Sequence, residues 1–196
     1  MRKIGIALVA MTVLLGGCTQ KQDERNTTQM KTMQKTVGKD RLLQTFGQIT
    51  PPPMGKDIMN QSDAQVIAWI KQVDDWTHQV LSSPVTGEMD AYAMREMRTH
   101  LMQVYTTDMA ERLIAYFYRE DPTTGTYQAN STKAMLGLRS EWGQYELSKS
   151  HPGKDQYKIT LSGKTKQDYS EPTMHHESSY QIQGDKLIIT DFKTTS

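Results

Sequence analysis

The chain has 196 residues, with 23 Lys and Arg against 22 Asp and Glu, and is 36% hydrophobic, at a mean hydropathy of −0.65. Balanced charge and low hydropathy exclude a polytopic membrane protein and a strongly basic nucleic-acid binder. A single cysteine, Cys18, excludes an intramolecular disulfide framework and a zinc site built on cysteines. The length suits one domain of ordinary size with an additional segment.

Arg2 and Lys3 precede a twelve-residue, mostly apolar run over 4–15 that ends in Gly16, Gly17 and Cys18. Charge, apolar run and small residues are the three parts of a secretory signal. A spanning helix needs about 20 apolar residues, and this run stops short before polar Thr19, Gln20 and Lys21. The quartet Leu15-Gly16-Gly17-Cys18 resembles the lipobox of bacterial lipoproteins. That resemblance implies a diacylglycerol on the Cys18 thiol and cleavage between Gly17 and Cys18. It also implies two or three acyl chains, which anchor stably because each buried methylene contributes about 0.8 kcal/mol. The expected location is the extracytoplasmic face of the cell membrane, or the outer membrane in a Gram-negative envelope, since Thr19 rather than Asp follows the cysteine. Loss of Arg2 and Lys3 leaves 21 basic against 22 acidic residues, a net of −1. Attachment is therefore expected to rest on lipid, with no nucleic-acid partner.

Residues 18–56 are expected to be the lipidated cysteine and a disordered tether. Thr, Gln, Lys and Asp dominate, Pro51, Pro52 and Pro53 close the segment, and such a composition buries too little apolar surface to offset its ordering entropy. The exception is Leu42, Leu43, Phe46 and Ile49, spaced as a short helix able to dock on the domain. Asn26-Thr27-Thr28 and Asn130-Ser131-Thr132 match the glycosylation triplet and are taken as incidental.

The folded domain is expected over 57–196. Ser62 with Gln65 forms a capping-box pattern, and Val66, Ile67, Trp69, Ile70, Val73, Trp76 and Val80 recur at helical spacing, predicting a helix over 63–81. Met94, Met97, Leu101 and Val104 mark a second helix ending near Tyr105. Thr106-Thr107-Asp108 offers the N-cap of a third, with Met109, Leu113, Tyr116 and Phe117. The period then changes to two: Tyr145 and Leu147; Tyr157, Ile159 and Leu161; Tyr180 and Ile182; Leu187 and Ile189. The stretches 151–155 and 183–185 read as hairpin linkers, and 127–129 as a further strand. Helices followed by a strand meander is an α+β pattern, N-terminal helices packed on a curved antiparallel sheet. This order, with the final Leu187-Ile188-Ile189-Thr190-Asp191-Phe192, resembles the NTF2-like and cystatin-like cones, in which a curved sheet wraps a long helix.

No motif singles out catalytic chemistry, and no catalytic residue, metal or cofactor is expected. His175 and His176 fall in a strand, where neighbours point to opposite faces, and are expected to be exposed or at an edge. His78 and His100 fall on separate helices and His151 in a loop. Met94, Met97, His100 and Met102 contain soft ligands suited to Cu(I), yet Met94 and Met97 occupy the core stripe. Asp74 and Asp75 are expected to be a solvated turn of the first helix, with Tyr105 and Asp191 as other polar groups of a cone interior. Tyr116, Phe117, Tyr118, Trp142 and Tyr145 are expected mostly in the core. Lys164 and Lys166 lead into a polar hairpin tip ending near Pro172.

These features point to a non-enzymatic, membrane-anchored cell-envelope lipoprotein whose extracytoplasmic domain binds a protein or envelope component. The candidate partner-binding residues are Trp142, Tyr145, Asp168 and Glu171, beside the lipid-attachment site Cys18 and the cleavage pair Gly17 and Cys18. One alternative is an inhibitor or regulator of secreted cell-wall hydrolases, presenting the loop around Asp168 and Glu171. Another is a small-molecule lyase or isomerase working in a deep polar pocket of the cone. A homodimer would use Tyr145, Ile159 or Ile188 on the open sheet face.

Overall fold

A computed structural model describes residues 38–83, 89–129, 142–165 and 174–195. They form four α-helices and two antiparallel sheets, one of two strands and one of four. The α+β class expected from the sequence is thus the class observed.

Helix α1 covers 38–48, and a 3-10 turn at Lys56–Asn60 leads into α2, Asp63–Leu81. Gln65 Oε1 accepts from both the backbone N–H (3.2 Å) and the hydroxyl (2.7 Å) of Ser62, fixing the first turn. At the other end the Ser82 N–H and hydroxyl both donate to His78 O, and the Ser83 hydroxyl donates to Gln79 O, so side chains help satisfy the last-turn carbonyls. Asp90 caps α3, Ala91–Leu101, by accepting from Ala93 N at 3.0 Å. Thr106 likewise caps α4, Thr107–Phe117, accepting from Met109 N at 3.3 Å.

Helix α3 stops one turn earlier than its apolar spacing predicts. After Leu101 the chain tightens, with Val104 N donating to Leu101 O. Ile189 N then donates to Val104 O and Thr106 N to Ile189 O, both at 2.9 Å, so Tyr105 bridges the last strand in parallel. Sheet pairing wins over another helical turn. A strand the sequence did not announce, β1 (Tyr118–Asp121), follows α4 without a break and pairs with β2 (Thr126–Ala129). The intervening turn uses Gly125 at a φ of 66°, which glycine adopts without a Cβ penalty.

The larger sheet is a meander: β3 (Trp142–Gly153), β4 (Gln156–Thr165), β5 (Met174–Gln183) and β6 (Lys186–Thr195), each antiparallel to the next. The first hairpin turns only at Lys154 and Asp155. His151 accordingly lies in β3 rather than in a loop, its ring 4.2 Å from that of Tyr157. Ile159, Leu161, Met174, Tyr180, Leu187, Ile189 and Phe192 are buried. A bulge keeps β6 in phase: Tyr180 pairs with Ile189 but Ser179 with Asp191, so Thr190 is the extra residue and both Ile189 and Phe192 point inward.

Residues 38–56 are part of this fold, which corrects the expectation of a tether running to residue 56. Leu42 and Phe46 are buried, and Phe46 stacks on His100 with ring centroids 5.0 Å apart. Pro53 O accepts from Trp69 Nε1 at 2.7 Å, and Met54 O accepts from Leu187 N at 2.7 Å. Burial of Leu42 and Phe46, with Ile49 half-buried just beyond α1, offsets the ordering cost that the polar composition suggested could not be met. The part of the expected tether before residue 38, with the signal and Cys18, lies outside the described residues, as does Asn130. No helix among those described is long and apolar enough to cross a membrane.

If α1 belongs to the core, Phe46→Ala lowers unfolding free energy by about 3 kcal/mol, while Leu43→Ala, at a side chain 44% exposed, changes it by about 0.5 kcal/mol or less. Urea titration of the two variants checks this; equal, negligible effects would restore the tether reading.

Candidate functional site

The apolar stripe of α2 carries polar residues that the pattern does not announce. Asp74 lies four residues after Ile70 and three before Thr77, on the buried face, and is 1% exposed. It is not the solvated turn expected from the pair Asp74-Asp75; Asp75 alone faces solvent. The Thr77 hydroxyl donates to Val73 O at 2.7 Å, so the contact of 2.7 Å with Tyr105 is donated by the tyrosine. His78 Nε2 stands 4.0 Å from Asp74 Oδ2. Burial drives the Tyr105 hydroxyl above the ordinary phenol range, assisted by the Asp74 charge, and so keeps it protonated.

Strand β5 contributes the facing polar groups. Its inward residues are Met174, His176, Ser178 and Tyr180. Tyr180 donates to Ser178 Oγ at 2.7 Å, and burial raises its hydroxyl too. His176 is fully buried, against the expectation of an exposed or edge-strand histidine, while His175 is exposed. The His176 Nδ1 lies 3.0 Å from Thr194 Oγ1 and the ring meets Phe192 edge-on at 4.6 Å. Its Nε2 has no hydrogen-bond partner among the described residues. Burial, with the neighbouring His175 as a lesser cause, lowers the His176 pKa to about 4, so the imidazole is neutral near pH 7. Asp74, Tyr105, His176 and Tyr180 therefore line a packed interior in which Trp69 lies 5.5 Å from Tyr180 and Trp76 6.5 Å from Tyr105. Protonated phenols and a neutral imidazole, closed to solvent, keep fixed hydrogen-bonding roles within the packing.

Two features face outward. Between α1 and α3 an open groove of about 400 Å³ is lined by Leu43, Phe46, Ile49, Pro51, Glu96, Thr99, His100 and Gln103 among others. His100 is committed to structure there: Nε2 donates to Ile49 O at 3.0 Å and Nδ1 accepts from Gln103 Nε2 at 2.9 Å, the tautomer that satisfies both partners. Burial lowers its pKa, favouring the neutral ring. The second feature is the strip of β3. Tyr145 lies opposite Gly163 and Leu147 opposite Leu161, on the helix-facing side, yet Tyr145 remains 44% exposed. Further along, Lys149 reaches Asp63 Oδ1 and Gln61 O, each at 3.2 Å, and closes that end of the strand onto the start of α2.

Of the residues expected to bind a partner, Tyr145 is presented on this strip, and Trp142 begins the same strand, pairing with Thr165. Asp168 and Glu171 lie outside the described residues, as do Lys166, Gly17 and Cys18. Tyr145 and Tyr116 are exposed and Phe117 and Tyr118 half-buried, a correction to the expectation that this aromatic set is mostly core. Ile159 is buried under the helices and offers nothing to a dimer face; Ile188 is half-buried. Met94 and Met97 pack in the core, and Met102 is exposed.

The depressed His176 pKa sets a pH dependence. The unfolded chain takes the proton near pH 6.5 but the fold resists it to about 4, so stability is complete above the unfolded value and falls as pH drops through this window. The loss is roughly 3 kcal/mol by pH 4. Urea titrations between pH 7 and 4 should show it, and His176→Leu, placed beside Leu161 and Phe192, should flatten that component; an unchanged slope in the variant would remove His176 as its source.

No protein family, curated protein or solved structure matches this chain.

Proposed function

We propose that the chain is a lipid-anchored cell-envelope protein whose α+β domain binds a protein or envelope component and performs no catalysis. Anchoring follows from the charged start, the apolar run and the quartet Leu15-Gly16-Gly17-Cys18. The observation that carries the binding role is the β3 strip. An aromatic side chain, Tyr145, is held out on a rigid strand beside the small Gly163, where a neighbour can lie flat against it. Aromatic anchors on fixed backbone contribute large contact area at low entropic cost.

A binding rather than catalytic role is further supported by how the helix-facing side of the sheet is used. Trp69, Trp76 and Tyr180 pack there, and the Asp74 and Tyr105 groups that a lyase would require are buried in the same packing. The cone of an NTF2-like or cystatin-like domain accommodates this packing, with α2 as the enclosed helix.

Replacing Cys18 by Ser shifts the protein from the membrane fraction to an uncleaved or freely released form and abolishes palmitate labelling; retention of both would defeat the anchor. For the binding face, a photo-crosslinking amino acid at position 145 gives discrete adducts on intact cells, while the same group at Gln181, exposed elsewhere on the sheet, gives none. Identical adduct patterns at the two positions would rule out the β3 strip.

A further inference from the structure

The two edges of the larger sheet are treated differently. The β6 edge is occupied: Leu187 N donates to Met54 O at 2.7 Å, Ile189 N to Val104 O and Thr106 N to Ile189 O, each at 2.9 Å, and Gly55 bridges Lys186. The β3 edge has no strand beside it among the described residues. Tyr145, Glu146, Ser148 and Ser150 are exposed there and Leu147 is half-buried. An open edge is a row of unpaired backbone groups, which folded proteins usually interrupt with a bulge, a proline or an inward-pointing charge. From Gln144 to Ser150 the pairing with β4 is regular; its register shifts lie beyond both ends of that stretch, and so does Pro152. The one inward-pointing charge, Lys149, is drawn back onto Asp63 and Gln61. The edge is left unguarded.

The same stretch is complementary to itself. In an antiparallel pair made by a two-fold axis normal to the sheet, each residue keeps its own face, so odd positions meet odd, even meet even, and the axis passes through one residue. An axis through Leu147 sits at the midpoint of 144–150, so every regular residue of one copy finds a regular residue of the other. Leu147 then lies opposite Leu147 of the second copy, Tyr145 opposite Lys149, Glu146 opposite Ser148 and Gln144 opposite Ser150. On the helix-facing side an apolar pair is flanked by two tyrosine–lysine pairs, in which the ring covers the Lys149 stem. Moving the axis to Glu146 or Lys149 sets like charges directly opposite each other, and moving it to Ser148 sets Leu147 against Lys149. Of these central positions, Leu147 alone matches both charge and apolar character.

We propose that the edge of β3 is a docking surface for a second copy of this chain, which joins two four-stranded sheets into one of eight strands across a two-fold axis at Leu147. This rests on the reading of β3 as a binding strip and names the protein that it binds. The ladder over 144–150 supplies about six to eight backbone hydrogen bonds, and Tyr145, 44% exposed in the single chain, is covered by the second copy. Glu146 and Ser148, which pair with Ser162 and Thr160 of β4, meet across the seam on the other face, so that face stays polar and contact is confined to the edge. A single strand pair belongs to the small, reversible class of interfaces, so the dimer forms and parts with concentration.

The test uses the full chain carrying Cys18→Ser, so that an introduced cysteine is the only thiol and the result does not depend on the lipid anchor. Leu147→Cys alone is expected to form a disulfide-linked dimer under mild copper–phenanthroline oxidation, since directly opposite Cβ atoms lie about 4.5–5.5 Å apart. Tyr145→Cys or Lys149→Cys alone gives about tenfold less dimer, because each then sits four positions from its own copy, roughly 14 Å along the strand. Mixed together, those two chains cross-link, which keeps the proposal testable if Leu147→Cys disturbs its half-buried site. Equal cross-linking in all three single variants, or none in both Leu147→Cys and the mixture, overturns the proposal. The photo-adduct at position 145 on intact cells separates it from the reading beneath it. Adducts of twice the chain's mass support both, discrete adducts of other mass only keep the binding strip and overturn the second copy, and no adduct overturns both.

Discussion

The architecture depends on the apolar face of a four-stranded sheet being covered by helices, with the tryptophans of α2 at the centre of the packing and α4 against β6. Trp69 of α2 packs on Tyr180 of β5 and Trp76 on both His100 of α3 and Tyr105 beyond it. Through those rings α2 touches nearly every other layer. Phe46 of α1 continues the stack on His100, which is how a helix from a polar stretch acquires a fixed place. Aromatic stacking of this kind adds about 0.5–1.5 kcal/mol per pair beyond simple burial, and its directionality fixes the angles at which the helices lie.

The same packing decides what the polar residues can do. Asp74, Thr77, Tyr105, His176, Ser178 and Tyr180 would be a reactive set if they lined an open pocket. Sealed, they become a source of specificity: each hydrogen bond, such as that from Tyr105 to Thr77, is satisfied in one arrangement of α2 against the sheet and would be lost in a slipped one. Outward presentation is left to the ends and edges. The edge of β6 is covered by backbone pairing with Met54, Val104 and Thr106, whereas β3 has no second strand partner among the described residues.

Seen with the charge distribution, the two ends of the domain differ in character. The chain enters at a basic, aromatic corner, where Lys39 and Arg95 flank the Tyr92 ring, and the long strand β3 lies elsewhere, carrying Tyr145. The net charge of the whole chain does not convey how its charges are distributed along the sequence, a net of +4 over 25–41 against −4 over 42–196.

Local spacing in the sequence determined the elements whose own residues suffice to specify them. The capping residues Ser62 and Gln65 with an apolar stripe gave α2 its limits, period-two alternation gave the meander, and the α+β class followed. The short helix around Leu42 and Phe46 was legible as an apolar patch, but not its membership of the core, since that required His100 of α3 to meet it. Tertiary structure alone decided the end of α3, where pairing with Ile189 replaced a helical turn, and the strand β1, which follows α4 without a turn signal. It also decided the burial of Asp74 and His176. A residue's place on a helix face or strand face is fixed by its number, whereas the cost of burying it is set by distant partners such as Tyr105, Thr194 and Phe192. Those partners meet only when the sheet closes over α2.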